Sequence, residues 1–139
     1  MRLTADLRSR LSGWFKRPPP AAQATRTILV VDGDASDRAA ALRCVEQLGY
    51  HALEAADASE ALRQLESTRP DCVLLALDLP TTSGLDVLAQ LREVEPELNV
   101  IMLARDWRDA RTAEAMRRGA AAYLAKPFSQ DDLRELLAS

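Results

Sequence analysis

Five short apolar runs recur along this chain, separated by longer stretches with helical spacing. The runs are TILVV (27–31), HALEA (51–55), DCVLLAL (71–77), NVIMLA (99–104) and AAYLA (121–125). Each is too short for a stable helix and the right length for a strand. TILVV, short, apolar and β-branched, is what a strand covered on both faces requires. Strands that alternate with helices imply a parallel sheet with helices packed on both sides. Residues 27–139 therefore read as one (βα)5 α/β domain, a doubly wound parallel five-stranded sheet. DCVLLAL, the most apolar run, is expected at its centre.

The punctuation agrees with this alternation. Asp34 or Ser36 can cap a first helix reaching about Leu48, and Gly49 stops it. Asp57-Ala58-Ser59-Glu60 resembles a capping box with Asp as the cap, opening a helix to about Ser67. Pro70 breaks the chain before the third run. Residues 79–84 form a loop, and Ser83 caps a helix to about Glu95. A fourth helix is expected over about 107–118. Lys126-Pro127 ends the last strand, and Ser129 caps a final helix. In such sheets the functional crevice lies beyond the C-terminal strand ends. Those ends bring Asp32, Gly33, Asp34, Ala76, Asp78, Ala104 and Lys126 to one place.

Charge divides the chain in two. The net charge is −3, but residues 1–26 carry six basic side chains against Asp6 alone. The other 113 residues carry 12 basic and 20 acidic ones. An acidic body argues against direct DNA binding by the folded part. Residues 1–17 read as a basic amphipathic leader. Leu3, Leu7, Leu11, Trp14 and Phe15 fall on one helical arc, while Arg2, Arg10, Lys16 and Arg17 lie off it. Gly13 weakens that helix, and Pro18-Pro19-Pro20 opens a Pro/Ala-rich linker over 18–26. Such a leader either docks on a protein surface, lies on an anionic membrane, or stays a disordered tail.

Cys44 and Cys72 sit in apolar stretches and read as buried thiols of a reducing compartment. No Cys/His cluster has zinc-ligand spacing. No apolar run reaches the length of a membrane span, and the first residues lack a secretory signal core. The expected location is the cytoplasm, with membrane association through the leader as an option. His51 reads as an ordinary surface residue.

Four stretches carry a family resemblance: ILVVDGD (28–34), PDCVLLALDLPTTSGLDVL (70–88), VIML (100–103) and GAAAYLAKPF (119–128). Together with the (βα)5 order, they make residues 27–139 similar to the CheY-like receiver domains of two-component response regulators. The resemblance implies a flavodoxin-like strand order 2-1-3-4-5 and a cis Lys126-Pro127 bond. It also implies self-phosphorylation on an aspartate. That reaction uses a carboxylate nucleophile after the third strand, Mg²⁺ held partly by an acidic pair after the first, a lysine, and a Thr or Ser after the fourth.

At most of these positions the chain departs from the pattern. The acidic pair is Asp32-Gly33. The nucleophile position, six residues after Pro70, is Ala76. The Thr/Ser position is Ala104. Only Asp32 and Lys126 remain, and with no phosphoryl group to balance, Lys126 is expected to pair with Asp32. The resulting expectation is a pseudo-receiver: a non-enzymatic signalling or scaffold module, independent of phosphorylation, with no cofactor and no Mg²⁺. One alternative makes Asp78 a substitute phosphoacceptor, with Asp32, Asp34 and Asp78 as weak metal candidates. Another makes the protein a membrane-recruited adaptor through its leader.

Partner binding is expected on the surface of helix 4, strand 5 and helix 5, with a homodimer as one form of it. Tyr123 matches the family's switch aromatic, and the small Ala104 leaves room for an inward ring in a single fixed state; otherwise Tyr123 is an ordinary exposed tyrosine. Trp107, in the charged stretch after the fourth strand with Arg105, is either an interface anchor or packed on its own helix.

Overall fold

A computed structural model describes residues 26–138. The leader (1–17) and the linker up to Thr25 lie outside the described residues. Five strands and five helices alternate: β1 Thr27–Val31, α1 Ala35–Gln47, β2 His51–Ala55, α2 Ala58–Thr68, β3 Cys72–Ala76, α3 Gly84–Val94, β4 Asn99–Ala104, α4 Ala110–Arg117, β5 Ala122–Ala125 and α5 Gln130–Ala138. The sheet is parallel throughout, in the order β2-β1-β3-β4-β5. β3 is its centre, and all five of its residues are buried.

Alternation along each strand divides the core in two. Leu29, Val31, Val73, Leu75, Val100 and Met102 face α2, α3 and α4, meeting Leu65, Leu88, Leu91 and Ala115. Ile28, Val30, Leu74, Ile101, Leu103 and Leu124 face α1 and α5, meeting Val45, Leu133 and Leu136. Each fully buried Val, Leu or Ile contributes about 1.5–3 kcal/mol relative to exposure. Among the described residues no aromatic ring is fully buried, and aliphatic burial still holds both layers.

The helix starts follow the sequence signals with local shifts. Asp34, not Ser36, caps α1, its Oδ1 accepting the Asp37 N–H at 2.9 Å. Asp57 caps α2, accepting from the Glu60 N–H. Glu60 reaches back one residue further than a capping box, accepting the Ala56 N–H at 2.8 Å. Ser83 caps α3, and Ser129 exchanges two hydrogen bonds with Asp132 at the start of α5. The largest correction concerns α4. It begins at Ala110 under an Asp109 cap, not at Trp107. Asp106 Oδ1 accepts the Arg108 N–H and Asp109 Oδ1 the Arg111 N–H, so two successive Asp turns delay the helix. β3 is likewise shorter than 71–77. Asp71 spends its carboxylate on the Thr27 N–H at 2.7 Å.

Two glycines mark close approaches at the C-terminal end of the sheet. A Cβ on Gly84 would lie 2.3 Å from the Ala76 carbonyl oxygen, so only glycine lets α3 start against the end of β3. A Cβ on Gly33 would lie 2.6 Å from Cδ of Pro80.

Candidate functional site

β1 delivers Asp32 to the C-terminal edge of the sheet, where it is 1% exposed. Its Oδ1 accepts the Asp34 N–H at 3.0 Å. Its Oδ2 accepts a hydrogen bond from Lys126 Nζ at 2.8 Å. The Lys126 N–H donates to the Ala104 carbonyl at 2.8 Å, which fixes the residue beside the end of β4. The expected Lys126–Asp32 pair is thus present, but it is not alone. Lys126 Nζ also lies 3.0 Å from Asp37 Oδ2, on the first turn of α1. Arg105 crosses from the β4–α4 loop to the same oxygen, 2.5 Å away, and lies 3.8 Å from Asp34. The Lys126–Pro127 peptide bond is cis.

The site is therefore a closed set of three carboxylates and two cations. The Lys126 side chain is only 10% exposed, and a cation that buried needs such partners. Asp34 stands at the open side. The Asp37 N–H, followed by the Ser36 N–H, Arg105 and Lys126, holds its carboxyl below the usual carboxylate range. Arg38 braces the floor, donating to the Asp32 carbonyl at 2.8 Å and pairing with Glu54 at 2.9 Å.

Around this set stand small or absent side chains. Ala76 is fully buried at the end of β3, and Ala104 is 3% exposed at the end of β4. Gly33 lies under Pro80. Asp78, two residues beyond Ala76, points elsewhere. Its carboxylate is 78% exposed and is held by Arg111 of α4 at 2.9 Å. Arg111 also grips Asp109 at 2.6 Å, and that contact holds the Asp109 carboxyl down at about 2.

The residues expected at an interface divide. Trp107 is 59% exposed, with the Arg108 guanidinium 5.5 Å from its ring centre. Tyr123 is half-buried against the cluster that includes Met102 and Ala104. Arg105, grouped with them from sequence, reaches back to Asp37.

Sequence reasoning missed Asp37 and Arg111. Asp37 is 89 residues from Lys126 and reads as an ordinary acid in a first helical turn. One signal was available: one turn past the Asp34 cap, a side chain returns to the strand end that carries Asp32.

A parallel sheet of this order with an acid–lysine pair at its C-terminal strand ends defines the class of signalling receiver domains. The response regulator receiver domain family matches residues 28–138, and the chain belongs to it. The response regulator MprA of Mycolicibacterium vanbaalenii is 42% identical over 107 residues, covering 76% of this chain and 46% of that protein. The phosphate regulon transcriptional regulatory protein PhoB of Pseudomonas aeruginosa is 34% identical over 110 residues, covering 78% and 48%. The chain thus spans about half the length of these curated relatives. Among solved structures, the chemotaxis protein CheY4 of Vibrio cholerae superposes with a TM-score of 0.76 at 26% identity, covering 82% of this chain and 97% of that one. The receiver domain of NtrX from Brucella abortus gives 0.74 at 30% identity, covering 81% and 98%.

Proposed function

We propose that this receiver domain works without phosphorylation, as a non-enzymatic module that binds protein partners. The observation that carries the reading is Ala76. At the position the family resemblance gives to the nucleophile stands a fully buried methyl group. A methyl group has no lone pair with which to attack phosphorus.

The surroundings support the same reading. Lys126, the residue that would balance phosphoryl charge, is already neutralised by Asp32 and Asp37. Ala104 offers no hydroxyl. Of the positions that would hold Mg²⁺, Gly33 and Ala76 supply no side-chain oxygen, and both oxygens of Asp32 are engaged. Among the described residues, no group of three or more His, Cys, Asp or Glu side chains is disposed to hold a metal ion. That donor set does not fit a hard divalent cation. Asp78 makes a poor substitute nucleophile because its carboxylate pairs with Arg111 on the rim.

Binding is assigned to the face of α4, β5 and α5. Trp107 at the approach to α4 is the exposed aromatic on that side, and a large ring beside arginines suits an interface anchor. Incubation of the protein with a small phosphodonor and Mg²⁺, followed by intact mass measurement under mildly acidic conditions, tests the reading. No added phosphoryl mass is expected. An acid-stable phosphoryl adduct on serine would not bear on it, but an aspartyl adduct mapped to Asp78 would overturn it.

A further inference from the structure

The end of the sheet opposite Lys126 carries an acidic groove. It lies where α2 and α3 both finish, beside the starts of β3 and β4, and encloses about 410 Å³. Among the described residues, Glu66, Asp71, Glu95 and Glu97 line it, against Arg69 as the one basic lining residue. Among the described residues, no ion pair engages Glu66, Glu95 or Glu97. The C-terminal ends of two helices add negative partial charge, which Arg92 offsets in the last turn of α3 and no basic residue offsets in the last turn of α2. Val94, 47% exposed, is one of the two large apolar side chains the described surface leaves open, and it stands in this groove.

A cationic segment with an apolar stripe fits such a groove, and the chain carries one. Residues 1–17 hold five basic side chains against Asp6, and their apolar residues share one helical arc. The point of departure is also in place. Thr27, the first residue of β1, donates its N–H to the groove residue Asp71 at 2.7 Å. The nine-residue linker 18–26 spans at most about 30 Å when extended, which makes the groove accessible to the leader of the same molecule. A short tether keeps the local concentration high, on the order of millimolar. An isolated helix of this length is marginal in water, so docking also supplies the stability it lacks.

We propose that the basic leader, residues 1–17, docks within its own molecule into the acidic groove bounded by Glu66, Asp71, Val94, Glu95 and Glu97. The α4–β5–α5 face stays free for partners, so docking leaves the proposed function intact and controls instead what the leader can reach.

The test uses the full chain carrying Trp107→Phe, which leaves Trp14 as the sole tryptophan. Docking is expected to give Trp14 a blue-shifted emission and protection from iodide and acrylamide, independent of protein concentration. The double change Glu95→Lys/Glu97→Lys should shift the emission to the red and remove the protection. Adding Arg8→Glu/Arg10→Glu to it should restore both. Circular dichroism checks that each variant keeps its helices, which the exposed positions of Glu95 and Glu97 allow. Raising salt should also expose Trp14, since the screening length falls from about 10 Å at 0.1 M to about 3 Å at 1 M. A solvent-exposed Trp14 in the parent chain, or one indifferent to the groove reversal, overturns the proposal. So does protection that needs anionic vesicles, or that grows with concentration alongside dimers in light scattering.

Discussion

Lys126 Nζ lies 2.8 Å from Asp32 Oδ2, and the two side chains are 10% and 1% exposed. A buried pair of this kind is worth little against an apolar replacement, yet breaking it from one side is costly. Lys126→Met is therefore expected to destabilise the domain by about 3–5 kcal/mol, because Asp32 is left buried without its cation. Asp37→Ala should cost clearly less, since Lys126 retains Asp32 and Asp37 is more exposed. The double variant Asp32→Asn/Lys126→Met should be more stable than the sum of its parts implies. Urea unfolding of the parent, these three variants and Asp32→Asn alone measures all of this, and equal losses for Lys126→Met and Asp37→Ala would show that the pair is not the core of the network.

The missing acid at Gly33 has a steric counterpart. A Cβ there meets Pro80 at 2.6 Å, so Gly33→Ala should destabilise by about 1–3 kcal/mol, the usual cost of overpacking. Pro80→Ala in the same chain should recover most of the loss. A harmless Gly33→Ala would mean that the 79–84 loop yields freely.

Arg111 ties α4 to the rim of the site. The folded Asp109 carboxyl titrates at about 2, below its ordinary 3.8, because Arg111 bonds to it. A carboxyl lowered on folding stabilises above its unfolded value, and that contribution fades as pH falls from about 4 towards 2. Arg111→Met should return the Asp109 titration, followed by NMR, towards 3.8 and flatten this acid limb. An Asp109 midpoint unchanged in the variant would assign the lowering to the Arg111 backbone N–H instead.

Much of this was legible in the chain. TILVV, DCVLLAL and NVIMLA located three strands because their β-branched and leucine-rich residues allow little else at that length, HALEA and AAYLA were placed by their position in the alternation, and Gly49 and Pro70 marked real boundaries. The Lys126–Asp32 pair followed from the deletion of other acids around it. What escaped was set by contacts distant in sequence. Asp37 is chosen by the fold, not by its neighbours, to meet Lys126. The start of α4 depended on Asp106 and Asp109 folding back on their own backbone, which helical periodicity does not register. Trp107 sits in the turn they form, before the helix begins.

The cysteines need the same correction. Cys72 is fully buried, and burial pushes its thiol up to about 12, but Cys44 on α1 is only half-buried. A disulfide-exchange reagent at pH 8 should therefore modify one thiol in the folded protein, at Cys44. Cys72 should react only on unfolding. Two thiols reacting at equal rates under native conditions would contradict this placement.

The claim on which the functional account rests is that the site no longer accepts a phosphoryl group. Thermal unfolding of the full chain with Mg²⁺ and beryllofluoride, a mimic of aspartyl phosphate, tests it most directly. A ligand of the folded state present at about 100 times its Kd adds about 2.7 kcal/mol, which a melting curve resolves easily. The midpoint is expected to stay unchanged with either component or both. A rise that requires both together, and that disappears in Asp78→Ala, would contradict it and make this domain a phosphorylatable switch with a relocated aspartate.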